Sequence, residues 1–220
     1  MAGDPDETFD DKLKRIGHII SRRATTTGEA PRRDPAEIER FRAAALARKG
    51  QELWERVIPP RFRSADTEQL EPMIAQAIGA WVGQWADSNL VIVGPVGVGK
   101  TWAACAAVRG LISSGVSVEF WPLVELFEAL RPNGDETVHD RIASVDVLIL
   151  DDLGAERPTD WSNERLYSIL NRRWLDQRPT VATTNLQSKE LAETLGERAY
   201  SRLVGGACSI RLTGDDRRRQ

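Results

Sequence analysis

The chain has 220 residues, of which 41% are hydrophobic, and a net charge of −3 at neutral pH; it can bury one full core but cannot act as a basic nucleic-acid coat, so any nucleic-acid contact needs a local patch. No apolar run approaches the roughly 18 residues of a membrane span, and the acidic start (Asp4, Asp6, Glu7, Asp10, Asp11) lacks the apolar stretch of a secretory signal. Two cysteines, Cys105 and Cys208, can form neither a disulfide framework nor a four-ligand zinc site, so the cytoplasm is the expected compartment.

Phe9, Leu13, Ile16 and Ile20 recur at helical spacing and predict an amphipathic helix over residues 7–23. The stretch ATTTGEAPRR, residues 24–33, breaks it. Asp34-Pro35-Ala36-Glu37 then carries a helix start, with Asp34 as cap, Pro35 in the first position and Glu37 reaching back. Ile38, Phe41, Ala45, Leu53, Trp54 and Val57 continue an apolar face, with Gly50 as a weak point, until Pro59-Pro60 ends it. A helix is also predicted over residues 70–85. Residues 1–57 are expected to form a helical arm and residues 58–220 the core domain.

Beyond Asn89 the pattern changes. Short β-rich runs at 90–93, 116–121, 145–150, 180–184 and 209–212 alternate with helix-length stretches such as 101–112 and 162–174. That alternation predicts an α/β fold with a parallel sheet covered on both faces.

Gly94-Pro95-Val96-Gly97-Val98-Gly99-Lys100-Thr101 fits GxxxxGK[ST], between a predicted strand and a predicted helix. Glycines let backbone N–H groups approach phosphate oxygens, and the helix N-terminus adds positive potential. Lys100 is expected to bridge the β- and γ-phosphates of ATP, and Thr101 Oγ to bind Mg²⁺. Trp102 closes the stretch expected to touch nucleotide, although its ring also suits core packing.

Val147-Leu148-Ile149-Leu150-Asp151-Asp152 is an apolar run closed by two carboxylates, at the strand end where such sheets bind ligands. Asp151 is the expected Mg²⁺-holding acid, and Asp152 the candidate general base for the attacking water. A solvated acidic turn is the plainer alternative. Asn185 ends the polar strand 179–185 and could bond the γ-phosphate or the lytic water, or simply cap the next helix; Thr184 is a secondary candidate. Arg198 and Arg202 stand four apart on one helix face. In ring ATPases such an arginine reaches the neighbouring subunit's γ-phosphate; a solvated arginine is the ordinary alternative. Trp121, Leu123, Phe127, Trp81 and Trp85 suit the core, and Cys105 suits a buried small position.

Together these motifs resemble the helicase-loader and transposition-helper branch of the AAA+ ATPases, the DnaC/DnaI and IstB-like group. The matching stretches are IPPRF, GPVGVGKT, LILDDLG, PTVATTNL, ERAYSRL and the terminal LTGDDRR, spanning residues 58–218. The resemblance implies an ASCE-type P-loop core with five parallel strands in the order 5-1-4-3-2 and no C-terminal helical lid. It makes Asn185 the sensor 1 residue and Arg202 the arginine finger, with Arg198 in reserve; Arg172 and Arg173 become weaker interface candidates, and Arg218 a stand-in for the sensor 2 arginine. Asp152 stands where most AAA+ proteins carry Glu, which implies slow hydrolysis. The implied function is ATP-dependent loading of a DnaB-type replicative helicase onto single-stranded DNA, with the arm gripping the helicase, the subunits associating as a ring or spiral, and no membrane partner. A transposition helper acting with a transposase on duplex DNA, and a nucleotide-binding interaction module without hydrolysis, are the alternatives.

Overall fold

The computed structural model describes residues 34–131, 136–154 and 159–217. The helix predicted over 7–23 lies outside them. The chain divides into two compact units, residues 1–43 and 44–220. Helix α1 (Pro35–Val57) starts as expected: the Asp34 carboxylate accepts the Ala36 N–H at 3.0 Å. It runs unbroken through Gly50. That glycine marks a close approach, since a Cβ there would come 3.0 Å from the Ser113 Cα. Farther along α1, Trp54 is 3% exposed and its indole N–H donates to the Arg63 carbonyl.

The core follows as α2 (Pro72–Val82), β1 (Leu90–Val93), α3 (Lys100–Ser113), β2 (Val118–Pro122), α4 (Leu123–Ala129), α5 (Glu136–Ser144), β3 (Val147–Leu153), α6 (Asp160–Leu175), β4 (Thr180–Thr184), α7 (Ser188–Leu195), α8 (Glu197–Val204) and β5 (Cys208–Arg211). The five strands pair in parallel in the order β2-β3-β4-β1-β5, the expected order read from the other edge. Strand β3 shows why its sequence is continuously apolar. Val147 and Ile149 face the layer built on α3, Trp54 and Trp81; Leu148 and Leu150 face the layer built on α4 to α8. Helix α3 presents Ala103, Ala104, Cys105, Ala106 and Ala107, all buried, and such small side chains let a helix lie close on the sheet. Cys105 is the buried small residue expected; burial, with the nearby Asp151 charge, pushes its thiol pKa well up. Leu123, Phe127 and Trp81 are core residues as well, with Trp121 and Trp85 packed at its margins.

Arg173 overturns its reading as an interface residue. It is 1% exposed. Its guanidinium donates to the carbonyls of Ile142, Val145, Asp146 and Pro179 and to Thr180 Oγ1, at 2.6–3.2 Å. It pins the end of α5 to the starts of β3 and β4. Burial, reinforced by Arg178 and opposed by Asp146, pulls its pKa down to about 9. Its neighbour Arg172 points outward and pairs with Asp176 at 2.7 Å. No helix among the described residues is long and apolar enough to cross a membrane.

Candidate nucleotide site

The phosphate loop leaves β1 at Gly94, where a Cβ would meet the Leu212 carbonyl at 2.5 Å. Gly97 and Gly99 turn it, with φ of 81° and 103°, values that strain any other residue. Gly99 is also the N-cap of α3, so the loop feeds into a helix N-terminus. Lys100 is 8% exposed and its ammonium donates to the Pro95 carbonyl at 3.0 Å. Thr101 Oγ1 donates to Asp151 Oδ2 at 3.1 Å, bringing loop and acidic strand end together across 50 residues of sequence.

The other oxygen of Asp151 accepts from Thr183 Oγ1 at 2.6 Å, and the Asp152 N–H donates to that same hydroxyl at 2.9 Å. The pairing of β3 with β4 shifts register between Leu150 and Leu153. Asp152 sits in that irregularity at φ 63°, which turns its carboxylate outward. A cleft of about 840 Å³ opens here, lined by Lys100, Thr101, Trp102, Asp151 and Asp152 together with Arg61, Phe62, Gln69 and Arg217.

Burial raises the pKa of Asp151, and the neighbouring Asp152 adds to the rise; hydrogen bonds from Thr183 and Thr101 and the charge of Lys100 oppose it. A hydroxyl and two carboxylates gathered at one strand end are the hard oxygen donors that Mg²⁺ takes, and a divalent cation would offset the cost of the buried charge. The folded-state pKa lies above the unfolded one, so folding favours the protonated form. The resulting stability is present below the unfolded pKa and lost as pH rises through the folded value. Asp151→Asn should therefore melt higher than the parent at neutral pH, with the gap closing in melts taken toward about pH 4, the ordinary carboxylate range. An unchanged or lower melting point at neutral pH would contradict the assigned environment.

The structure thus brings together Gly94, Pro95, Val96, Gly97, Gly99, Lys100, Thr101, Trp102, Asp151 and Asp152. The Val98 side chain instead enters the core, which leaves only its backbone for a ligand. Asn185 is exposed in the bend after β4, and α7 starts at Ser188 with Gln187 as its N-cap, so Asn185 is not the helix cap. Thr184 is buried and its hydroxyl donates to the Leu153 carbonyl. Arg202 lies at the opposite end of the sheet, near Asn89 and Thr180 where β1 and β4 begin. Its guanidinium stacks 3.9 Å above the Trp174 ring and donates to Asn171 Oδ1 at 3.0 Å. Arg198 is exposed on the same helix, and Arg218 lies outside the described residues.

Sequence reasoning missed Thr183, Arg217 and the wall formed by Arg61, Phe62 and Gln69. Thr183 stood within a Thr-Thr-Asn run in which one step of register decides which residue meets Asp151.

The sequence matches the family described as IstB-like ATP binding protein over residues 39–219. A protein of Pseudomonas fluorescens, named for insertion sequence IS1162 and for ATP binding, is 31% identical over 179 residues, covering 80% of this chain and 72% of that one. The replicative helicase loader DnaC of Escherichia coli K12 is 25% identical over 122 residues, covering 53% of this chain and half of that protein. The crystal structure of DnaI superposes with a TM-score of 0.65 at 26% identity, covering 73% of this chain and 94% of that one. That of the DnaC helicase loader gives 0.64 at 26% identity, covering 70% of this chain and all of that one. With its glycine-turned loop against the acidic end of β3 in a five-stranded parallel sheet, this chain belongs to the IstB-like family of AAA+ P-loop ATPases, which is akin to DnaC and DnaI.

Proposed function

We propose that the chain hydrolyses ATP and uses the cycle to load a DnaB-type replicative helicase onto single-stranded DNA. The observation that carries the nucleotide chemistry is the Thr101–Asp151 hydrogen bond beside the buried Lys100. Loop N–H groups and Lys100 would bind the phosphates, and Phe62 offers an aromatic face to the base. Thr101 and Asp151 would hold Mg²⁺, which supplies charge neutralisation on the phosphates. Asp152, exposed to the cleft, takes the proton of the attacking water, and Asn185 at the next strand end orients that water. A carboxylate one methylene shorter than Glu reaches less far, consistent with slow turnover.

Arg202 is too remote to serve its own chain's nucleotide. Its place opposite the cleft suits a neighbour's phosphate in a ring or spiral, where it would act as the arginine finger. Residues 1–57 are the proposed helicase-gripping arm, although Trp54 shows that its last turns pack with the core. Similarity to the DnaC and DnaI structures supports the loader reading. The greater identity and coverage of the IS1162 protein support a second one, a transposition helper acting with a transposase on duplex DNA.

The test is pulldown with ATP against purified replicative helicase and against transposase, together with steady-state hydrolysis with and without single-stranded DNA. Helicase capture and DNA-stimulated turnover support loading; transposase capture supports the second reading; nucleotide binding without turnover would make the chain an interaction module. Arg202→Ala should leave ATP affinity intact and cut turnover about a thousandfold, the lower end of the range for arginine fingers. Mixing it with Lys100→Ala should restore part of the rate, because one variant supplies the nucleotide and the other the arginine. Unchanged turnover in Arg202→Ala would refute the assignment.

A further inference from the structure

We infer that residues 213–217 form a strap across the phosphate loop, and that Arg217 on this strap is a ligand for the nucleotide's phosphates, in competition with Glu71. The inference deepens the ATPase reading above and rests on it.

The strap is tied to the loop at both ends. The Leu212 N–H donates to the Val93 carbonyl at 2.8 Å, and the Leu212 carbonyl fills the space a Cβ on Gly94 would need. The Arg217 N–H donates to the Gly97 carbonyl at 3.1 Å. The Asp216 carboxylate lies 1.9 Å from where a Cβ on Gly97 would stand, so the loop glycine is required by the strap as well as by its own φ. This backbone placement delivers the Arg217 side chain to Gly99, the residue before Lys100, and into the wall of the same cleft.

Among the described residues the guanidinium pairs with Glu71 Oε1 at 3.9 Å, and the Arg217 side chain is 50% exposed. A pair this long and this open to water is weak. A polyphosphate in the cleft offers several oxygens and more negative charge, and the planar fork of arginine matches phosphate geometry. Arg217 therefore transfers from Glu71 to the phosphates when nucleotide enters. Its attachment to Gly97 through the backbone couples that transfer to the loop itself.

The experiment is calorimetric titration of the full chain with ATP and Mg²⁺. Arg217→Ala should raise Kd about tenfold, the effect of one lost charge-assisted contact, and Arg217→Lys should fall between. Glu71→Gln should tighten ATP about twofold to threefold in the parent, by removing the competitor, and should do nothing in the Arg217→Ala background. Melts of the ligand-free variants should match the parent, since both side chains are open to solvent. The inference is overturned if Arg217→Ala binds ATP as the parent does, or if Glu71→Gln acts equally with and without Arg217. If the parent binds no ATP at all, the ATPase reading fails first; if the parent binds, Lys100→Ala does not, and the strap variants are silent, only the strap inference fails.

Discussion

Lys100→Ala should bind ATP at least about a hundredfold more weakly than the parent, a loss of roughly 2.7 kcal/mol or more. The ammonium sits in a nearly closed loop, where a charge pair at contact distance is worth several times its value in bulk water. Alanine cannot replace it, and water reaching the loop can only partly do so. The fold should survive, because Lys100 occupies the first turn of α3 and alanine is the better helix former. Calorimetry with ATP and Mg²⁺ measures the loss, and a thermal melt confirms the fold. A variant with parental affinity would remove the basis for every role assigned to the cleft.

Arg173→Ala should destabilise the fold by about 3–5 kcal/mol. It deletes a buried cation whose hydrogen bonds reach four backbone carbonyls and one hydroxyl, and takes one donor from each of those acceptors, of which the Pro179 carbonyl keeps the Leu148 N–H. Lysine should recover only a fraction, because a compact ammonium cannot span acceptors arranged around a planar fork. Arg172→Ala, one residue away, should cost less than about 1 kcal/mol, since it breaks an exposed pair on the helix surface. Urea unfolding of the three variants checks the ranking. Near-equal midpoints for Arg172→Ala and Arg173→Ala would contradict the buried network.

The contrast between these two arginines shows where sequence reading stops. Both occupy the last turn of α6, and composition treats them alike. Only the packing of α5, β3 and β4 around one of them makes it structural. Arg202 is a related case. Its position four residues from Arg198 was legible, but its stacking on Trp174, its bond to Asn171 and its distance from its own chain's phosphate loop depend on how α8 meets α6.

What the chain determined by itself was local. Eight consecutive residues set the phosphate loop, because glycine φ angles, the lysine and the threonine all act within one turn. The apolar run into Asp151 set a buried strand with an acidic end, because parallel strands are covered on both faces. Alternation of strands and helices set the fold class and, through the family resemblance, the strand order. What only the tertiary structure decided was every relation between segments far apart in sequence. Thr183 meets Asp151 because β4 lies beside β3 and because the irregularity at Asp152 sets which hydroxyl faces in. Arg217 reaches the loop from β5, more than a hundred residues beyond Lys100, because β5 pairs with β1. Spacing along a chain encodes turns and faces; which faces meet is settled by the packing of the whole core.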